Sequence, residues 1–186
     1  MGLFDTLRNI FGTGGGDEPP SVEETVTQQH DRRTKPRVDA RKGTRVLIID
    51  DSRTVVAALR KMLQPIGYLT MEALDAETGL ELARTRRPEV IFLDIVLPGM
   101  NGFAALRALR RDPLTQGVPV IMMSGNEQAT EQFFGSRIGA DDFMKKPFSR
   151  QEVFARIERL LDEQGIPCRI GLRKSAPDVV AEPEAG

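Results

Sequence analysis

The sequence predicts an α/β domain in which a parallel sheet is covered by helices on both faces. Between residues 45 and 161, short apolar runs alternate with amphipathic stretches of helical length. The run at 90–93 is apolar throughout, with neither a helical nor an alternating period, which is typical of a parallel strand buried on both faces. Five strand–helix units with crossovers of this length favour a single doubly wound parallel sheet.

The first two units are marked by helix-capping residues. A strand at 46–49 precedes Ser52, which can cap a helix whose apolar stripe runs to Leu63. A second strand is predicted at 68–73. Asp75 then caps a second helix that ends near Arg86, because a proline follows shortly after.

The remaining units follow the same alternation. Three more strands are predicted at 89–94, 118–123 and 142–145, and two helices at 103–110 and 127–138. Pro119 lies near the start of its strand, where a missing N–H donor costs least. The run from Ser149 to Glu152 fits a capping box, and it opens a final helix with an apolar stripe of Val153, Phe154, Ile157, Leu160 and Leu161.

Composition excludes several classes of site and partner. The 26 basic and 27 acidic side chains nearly balance, so no overall field favours nucleic acid, and we predict no DNA partner. The single histidine, His30, lies in a polar stretch, which excludes Ser-His-Asp, Cys-His and histidine-rich metal sites. The single cysteine fits a reducing compartment, and no apolar run approaches the roughly 20 residues of a membrane span. We therefore expect a cytoplasmic protein without a transmembrane segment.

Polar side chains follow four of the predicted strands. Asp50 and Asp51 end the first strand, Asp94 the third, Ser124 the fourth, and Lys146 follows the fifth. The carboxyl ends of parallel strands meet at one edge of an open sheet, where such folds place their chemistry. Crowded carboxylates repel one another, and an oxygen-only cluster selects a hard cation, Mg²⁺ or Mn²⁺. A carboxylate beside such an ion can accept a phosphoryl group.

These residues resemble the receiver domain of bacterial two-component response regulators. The matching motifs extend from about residue 45 to 161, and their order and spacing fit together: Ile49-Asp50-Asp51-Ser52, Leu93-Asp94 with Pro98 and Gly102, Met123-Ser124-Gly125, Gly139-Ala140-Asp141-Asp142 and Lys146-Pro147-Phe148. The resemblance implies a flavodoxin-like sheet of order 2-1-3-4-5. Within the family, the sequence looks most like stand-alone regulators of twitching motility (type IV pilus chemosensory systems).

The resemblance also implies a role for each matching residue. Asp94 is the expected phosphoacceptor, and Lys146 pairs with a phosphoryl oxygen. The metal ion is bound by Asp51, Asp94 and the backbone carbonyl of Val96, with Asp50 acting mainly through water. The expected switch residues are Ser124, whose hydroxyl donates to the phosphoryl group, and Phe143, which turns inward as the serine moves. A buried core phenylalanine would look the same in sequence.

The function expected from this site is a phosphorylation-activated switch. A histidine kinase donates the phosphoryl group, and an output protein contacts the face formed by residues 127–161. The chain would catalyse only its own phosphorylation and dephosphorylation, so we do not expect an enzyme with a separate substrate. Two alternatives are a Mg²⁺-dependent hydrolase with an aspartate nucleophile and a docking module that is never phosphorylated. Such hydrolases carry a second aspartate two residues after the nucleophile, where this sequence has Val96.

Outside the receiver, predicted at 44–164, the sequence predicts two flanks. Residues 12–43 and 165–186 are rich in polar residues, glycine and proline, and we expect a disordered linker and tail. The basic run at 32–42 favours a solvated linker over a nucleic-acid arm. Residues 1–11 place five apolar side chains on one helical face with one arginine on the polar face, which favours a protein groove over lipid. The alternative is that this segment packs back on the receiver.

Overall fold

The computed structural model describes residues 39–135 and 139–169. The predictions for residues 1–11, for most of the linker and for the end of the tail lie outside this part of the chain. Among the described residues, no helix has both the length and the apolar character needed to cross a membrane.

The predicted parallel sheet is confirmed. Its five strands are β1 (Arg45–Ile49), β2 (Leu69–Ala73), β3 (Val90–Asp94), β4 (Val120–Ser124) and β5 (Asp142–Lys145). They are all parallel and lie in the order β2-β1-β3-β4-β5, as the family resemblance implied. The central strand β3 is buried along its whole length, because helices cover the sheet on both faces.

The described residues form five α-helices: α1 (Arg53–Leu63), α2 (Ala76–Arg86), α3 (Gly102–Arg111), α4 (Glu127–Gly135) and α5 (Arg150–Arg159). The three caps predicted from sequence are present. The side chains of Ser52, Asp75 and Ser149 each accept a hydrogen bond from a backbone N–H in the first turn of α1, α2 and α5. These bonds satisfy N–H groups that have no partner inside the helix.

Alternate residues of the central strands supply two hydrophobic cores. Val46 and Ile48 of β1 face α1 and α5, whereas Leu47 and Ile49 face α2 and α3. This alternation follows from the two-residue period of a strand. The carboxyl ends of the strands, where the predicted site residues lie, therefore belong to a sheet with a hydrophobic core on each face.

Some predicted boundaries were wrong by one or two residues. The fourth strand begins at Val120 rather than at residue 118, because the N–H of Val118 closes a turn onto Thr115 and Pro119 has no N–H. The third helix begins at Gly102, one residue early, because the Asn101 side chain caps it. The fourth helix is described only to Gly135, so its predicted end at 138 lies outside the described residues.

Packed backbone extends beyond the predicted receiver limits of 44 and 164. Arg41 donates its backbone N–H to the carbonyl of Gly165 over 3.4 Å, and Ala40 donates to the Tyr68 hydroxyl over 3.3 Å. Cys168 donates to the carbonyl of Leu160 over 2.8 Å. The described residues before 44 and after 164 are thus hydrogen-bonded to the domain. The disorder predicted for the rest of the linker and tail stays a prediction.

Candidate functional site

Three aspartates meet at the carboxyl edge of the sheet. Asp94 is the last residue of β3, and Asp50 and Asp51 follow β1, its neighbour in the sheet. Each contributes a carboxylate oxygen to a group in which all three atoms lie within 4.8 Å of one another. Asp50 is fully buried and Asp94 is 4% exposed, whereas Asp51 is open to solvent.

Lys146 is the cation of this group. Its Nζ lies 2.6 Å from Oδ2 of Asp50 and 3.1 Å from Oδ1 of Asp94. The other Asp50 oxygen accepts the backbone N–H of Ser52 over 3.0 Å, which fixes the carboxylate against the start of α1. Within the described residues, Oδ2 of Asp50 accepts no hydrogen bond, so its contact with Lys146 is an ion pair without hydrogen-bond geometry.

The electrostatics of Asp94 reflect its burial. Loss of contact with water raises the pKa of its carboxyl group to about 6, the positive charge of Lys146 opposes this rise, and the charges of Asp50 and Asp51 add to it. A second cation beside Asp94 would favour the ionised form. Binding of a divalent ion at this site therefore requires loss of a proton when the pH is below about 6.

The donor set fits a Mg²⁺ or Mn²⁺ ion. The three side chains offer carboxylate oxygens, which hard divalent cations prefer, and neither a thiolate nor an imidazole is among them. Oδ2 of Asp50 has no hydrogen bond from the described residues, and Asp51 opens to solvent. The exposed Asp51 carboxylate can therefore bind an ion that keeps several of its waters, whereas Oδ2 of Asp50 already contacts Lys146.

The loop after Asp94 depends on a glycine. Gly102 donates its N–H to the carbonyl of Ile95 over 2.9 Å, which folds the loop back on the end of β3. A Cβ at this position would lie 2.0 Å from the backbone oxygen of Asp94. Val96, two residues after Asp94, has a side chain that is 53% exposed on this loop.

Ser124 ends β4 beside β3, but its hydroxyl is engaged within its own loop. Its Oγ accepts the N–H of Asn126 over 3.0 Å and donates to the Asn126 carbonyl over 3.3 Å. Within the described residues it makes no hydrogen bond to Asp94. Asn126 in turn caps α4 through its side-chain oxygen, so the serine is linked directly to the start of that helix.

Phe143 lies in an aromatic cluster between β5 and α4. Its ring is 8% exposed and stacks on Phe133 with ring centroids 4.7 Å apart. Phe134 meets the same ring edge-on at 5.4 Å and is itself 72% exposed. In this conformation Phe143 is already a core residue, and the cluster connects it to the surface of α4.

Sequence reasoning assigned no role to Asp141, although it quoted the motif that contains this residue. The Asp141 carboxylate accepts hydrogen bonds from Arg110 over 2.7 Å, from Arg169 over 3.1 Å and from the N–H of Val120 over 2.9 Å. Asp141 thereby fixes the first residue of β4 and lies at the edge opposite Asp94. Arginine partners 31 and 28 residues away leave no local signal in the sequence.

Comparison with known proteins identifies the family. The model of the response regulator receiver domain matches residues 46–158, a range that contains all seven predicted site residues. The chain belongs to the response regulator receiver family.

Curated relatives are of two kinds. The chain is similar to the protein PilH of Pseudomonas aeruginosa, with 38% identity over 117 residues that cover 63% of this chain and 97% of that protein. It is also similar to the alkaline phosphatase synthesis transcriptional regulatory protein PhoP of Bacillus subtilis, with 35% identity over 63% of this chain. The chain spans 48% of PhoP, so that likeness concerns the receiver part alone.

Solved structures agree with this assignment. A response regulator from Chloroflexus aurantiacus shares 32% identity and a TM-score of 0.58, covering 63% of this chain and 97% of that one. Chemotaxis protein CheY4 of Vibrio cholerae shares 28% identity and a TM-score of 0.59 over 64% of this chain and 99% of that one. The third structure is the receiver domain of sensor histidine kinase PA1611 from P. aeruginosa, described with a magnesium ion in its active site cleft. It shares 27% identity and a TM-score of 0.57, covering 63% of this chain and 95% of that one.

Proposed function

We propose that this chain is a phosphorylation-activated signalling switch in which Asp94 accepts a phosphoryl group from the phosphohistidine of a histidine kinase. The observation that carries the proposal is the contact of Lys146 with Asp94, at 3.1 Å, inside a cluster of three carboxylates at the carboxyl edge of the sheet. This arrangement places a buried nucleophile beside a fixed positive charge.

In the transfer, an oxygen of ionised Asp94 attacks phosphorus. The P–N bond of the donor breaks as the P–O bond forms, and its electron pair stays on the imidazole nitrogen. Lys146 then neutralises a phosphoryl oxygen in place of its present contact with Asp94. Asp51, Asp94 and the Val96 carbonyl would hold a Mg²⁺ ion, with Asp50 acting mainly through water, and the bound ion would supply further charge neutralisation. The chain catalyses its own phosphorylation in this way and acts on no separate substrate.

Phosphate incorporation from acetyl phosphate with Mg²⁺ tests the acceptor. Asp94→Asn is expected to abolish incorporation, because an amide cannot form the acyl phosphate. The matched control is Asp75→Asn, which changes another aspartate that follows a strand, since asparagine also caps helices well. Incorporation that persists in Asp94→Asn, or that is lost equally in Asp75→Asn, would contradict the assignment.

The signal leaves through the face formed by α4, β5 and α5. Three features support this surface: Phe134 is exposed, its ring contacts buried Phe143, and Ser124 is bonded to the residue that caps α4. A cavity of about 270 Å³ next to these rings is bordered by Arg156 of α5. An output protein is expected to bind here with an apolar side chain over Phe134.

The pathway we propose is control of pilus-based motility. The support is the similarity to PilH over 97% of that protein's length. In the source organism, chromosomal Asp94→Asn is expected to change twitching on surfaces, whereas Asp75→Asn leaves it unchanged. Normal twitching in a strain whose protein carries Asp94→Asn, with the protein still present at normal levels, would contradict this role.

A further inference from the structure

The edge of the sheet opposite Asp94 carries a concentration of arginine side chains. Parallel strands all begin at this edge, and the connecting helices run the other way, so the last turns of α2 and α3 end here. We call the following residues the arginine row: Arg45, Arg84, Arg86, Arg87, Arg110 and Arg111.

Side-chain contacts link the ends of α2 and α3 along the row. Arg45 donates through Nε to the carbonyl of Arg87 over 2.8 Å, which joins the start of β1 to the end of α2. Arg84 contacts Asp112 at 2.5 Å, which joins the end of α2 to the end of α3. Asp112 also accepts the backbone N–H of Leu114 over 2.9 Å. The row therefore crosses from β1 to the loop before β4.

Half of these guanidinium groups make no direct contact with a carboxylate. Glu89, Asp112 and Asp141 pair with Arg45, Arg84 and Arg110, respectively. Within residues 39–135 and 139–169, the side chains of Arg86, Arg87 and Arg111 form no ion pair within 4 Å, and all three are exposed. Only Arg87 acts on a carboxylate from a distance, since its charge helps to lower the pKa of Asp112. An uncompensated positive charge therefore lies at this edge, although the chain as a whole carries a net charge of −1.

Two exposed leucines flank the row. Leu69 is the first residue of β2, pairs in register with Arg45 and is 58% exposed. Leu114 is 48% exposed in the loop before β4. These are two of the four large apolar side chains that stay exposed among the described residues.

The helix dipole explains only part of this pattern. A positive charge in the last turn of a helix is stabilised there, which accounts for Arg86 and Arg111. Arg87 lies beyond the last turn, with a left-handed φ of 50°, and Arg45 belongs to a strand. Arg45 is accounted for by its contacts with Glu89 and with the Arg87 carbonyl at the end of α2. Neither the dipole nor core packing requires an arginine at position 87 or an exposed leucine at each end of the row.

We propose that this edge of the domain binds the surface of a membrane that contains anionic phospholipid. The planar guanidinium fork suits lipid phosphates, and a row along an edge suits a flat, repeating array of them. Leu69 and Leu114 then enter the apolar boundary of the lipid on either side. Nucleic acid would supply the same phosphates, but it offers no apolar phase for exposed leucines, and no aromatic side chain lies in the row to stack on bases.

This orientation keeps the site of phosphorylation accessible. A five-residue strand such as β3 is about 17 Å long, so Asp94 faces away from the lipid at the other end of the sheet. Binding to the membrane and phosphorylation should therefore be independent.

Co-sedimentation of the full chain with vesicles tests the proposal. Binding is expected on vesicles of phosphatidylglycerol and phosphatidylcholine and not on phosphatidylcholine alone. The triple variant Arg86→Gln, Arg87→Gln, Arg111→Gln should bind the anionic vesicles about a hundredfold more weakly, since each basic residue near such a surface contributes about 1 kcal/mol. The double variant Leu69→Ser, Leu114→Ser should also bind several-fold more weakly.

A matched control removes the same charge from the other edge. Arg53→Gln, Lys145→Gln, Arg150→Gln changes three exposed cations at the carboxyl ends of the strands, and its vesicle binding is expected to match that of the unmodified chain. Equal losses in the two triple variants, or no binding of the unmodified chain to anionic vesicles, would overturn the proposal. Preferential binding of the unmodified chain to duplex DNA through the same three arginines would overturn it in favour of nucleic acid.

Discussion

A side chain at position 102 cannot coexist with the present position of Asp94. The Cβ of an alanine there would lie 2.0 Å from the Asp94 carbonyl oxygen and 2.8 Å from the Cα of Ile95. Both neighbours are backbone, so Gly102→Ala must displace the loop that follows the acceptor. We expect a loss of about 3 kcal/mol in the free energy of unfolding, measured by urea denaturation, and a large loss of phosphate incorporation.

The control for this prediction is Gly117→Ala. A Cβ at position 117 meets no atom within 4 Å, so stability and phosphate incorporation should stay close to those of the unmodified chain. Equal stability of the two variants would show that the loop can move away from position 102 without cost.

The metal-free domain should lose stability as the pH rises through 6. Folding raises the pKa of Asp94 from 3.8 to about 6, so the folded state binds this proton more tightly than the unfolded chain does. The resulting stabilisation is present below pH 4 and lost above pH 6. Relative to the unmodified chain, Asp94→Asn should therefore gain stability between pH 4 and pH 7 without Mg²⁺, on the order of 1–3 kcal/mol.

The same proton competes with the metal ion. In calorimetric titrations, Mg²⁺ affinity should fall by up to tenfold for each pH unit below about 6 and level off above pH 7. An affinity that does not change between pH 5 and pH 7 would contradict the raised pKa of Asp94.

The lifetime of the phosphorylated state should depend on Val96. This side chain follows Asp94 by two residues and is half exposed, and we expect it to cover the phosphoryl group and exclude water. Val96→Asn would then orient a water molecule for attack and speed dephosphorylation, measured as release of phosphate after removal of the donor. Leu114→Asn, an equivalent change at the opposite edge, should leave the rate unchanged. An unchanged rate in Val96→Asn would mean that the side chain points away from the site.

Binding of BeF₃⁻ with Mg²⁺ should perturb α4 more than α1. Ser124 is hydrogen-bonded to Asn126, which caps α4. The rings of Phe133 and Phe134 in that helix pack against Phe143 of β5. We expect larger changes in amide NMR shifts for residues 127–135 and 142–159 than for α1. Larger changes in α1 would place the responsive surface on the other face of the sheet.

The sequence predicted what depends on local pattern. The apolar run before Asp94 identifies a buried central strand, and Ser52, Asp75 and Ser149 identify helix starts, because a cap requires only a polar side chain near the first turn. The convergence of Asp50, Asp51 and Asp94 follows from topology, because parallel strands bring their carboxyl ends together.

Contacts between segments that are distant in sequence could not be predicted from such local patterns. The bonds of Arg110 and Arg169 to Asp141 join residues about 30 positions apart, and nothing local distinguishes these arginines from solvated ones. The burial of the Phe143 ring could not be predicted from sequence either, because it depends on how α4 packs against β5 through Phe133. The roles of the site residues themselves stay predictions for the experiments above.

The hydrogen bond between Arg41 and Gly165 brings the two ends of the described part of the domain together. Both ends lie at the edge away from Asp94. A circular permutant that joins residue 169 to residue 39 through a short peptide, with new ends opened in the loop at Gly117, should therefore fold with its phosphorylation site intact. Reporter proteins fused at either position would therefore leave kinase access to Asp94 unobstructed.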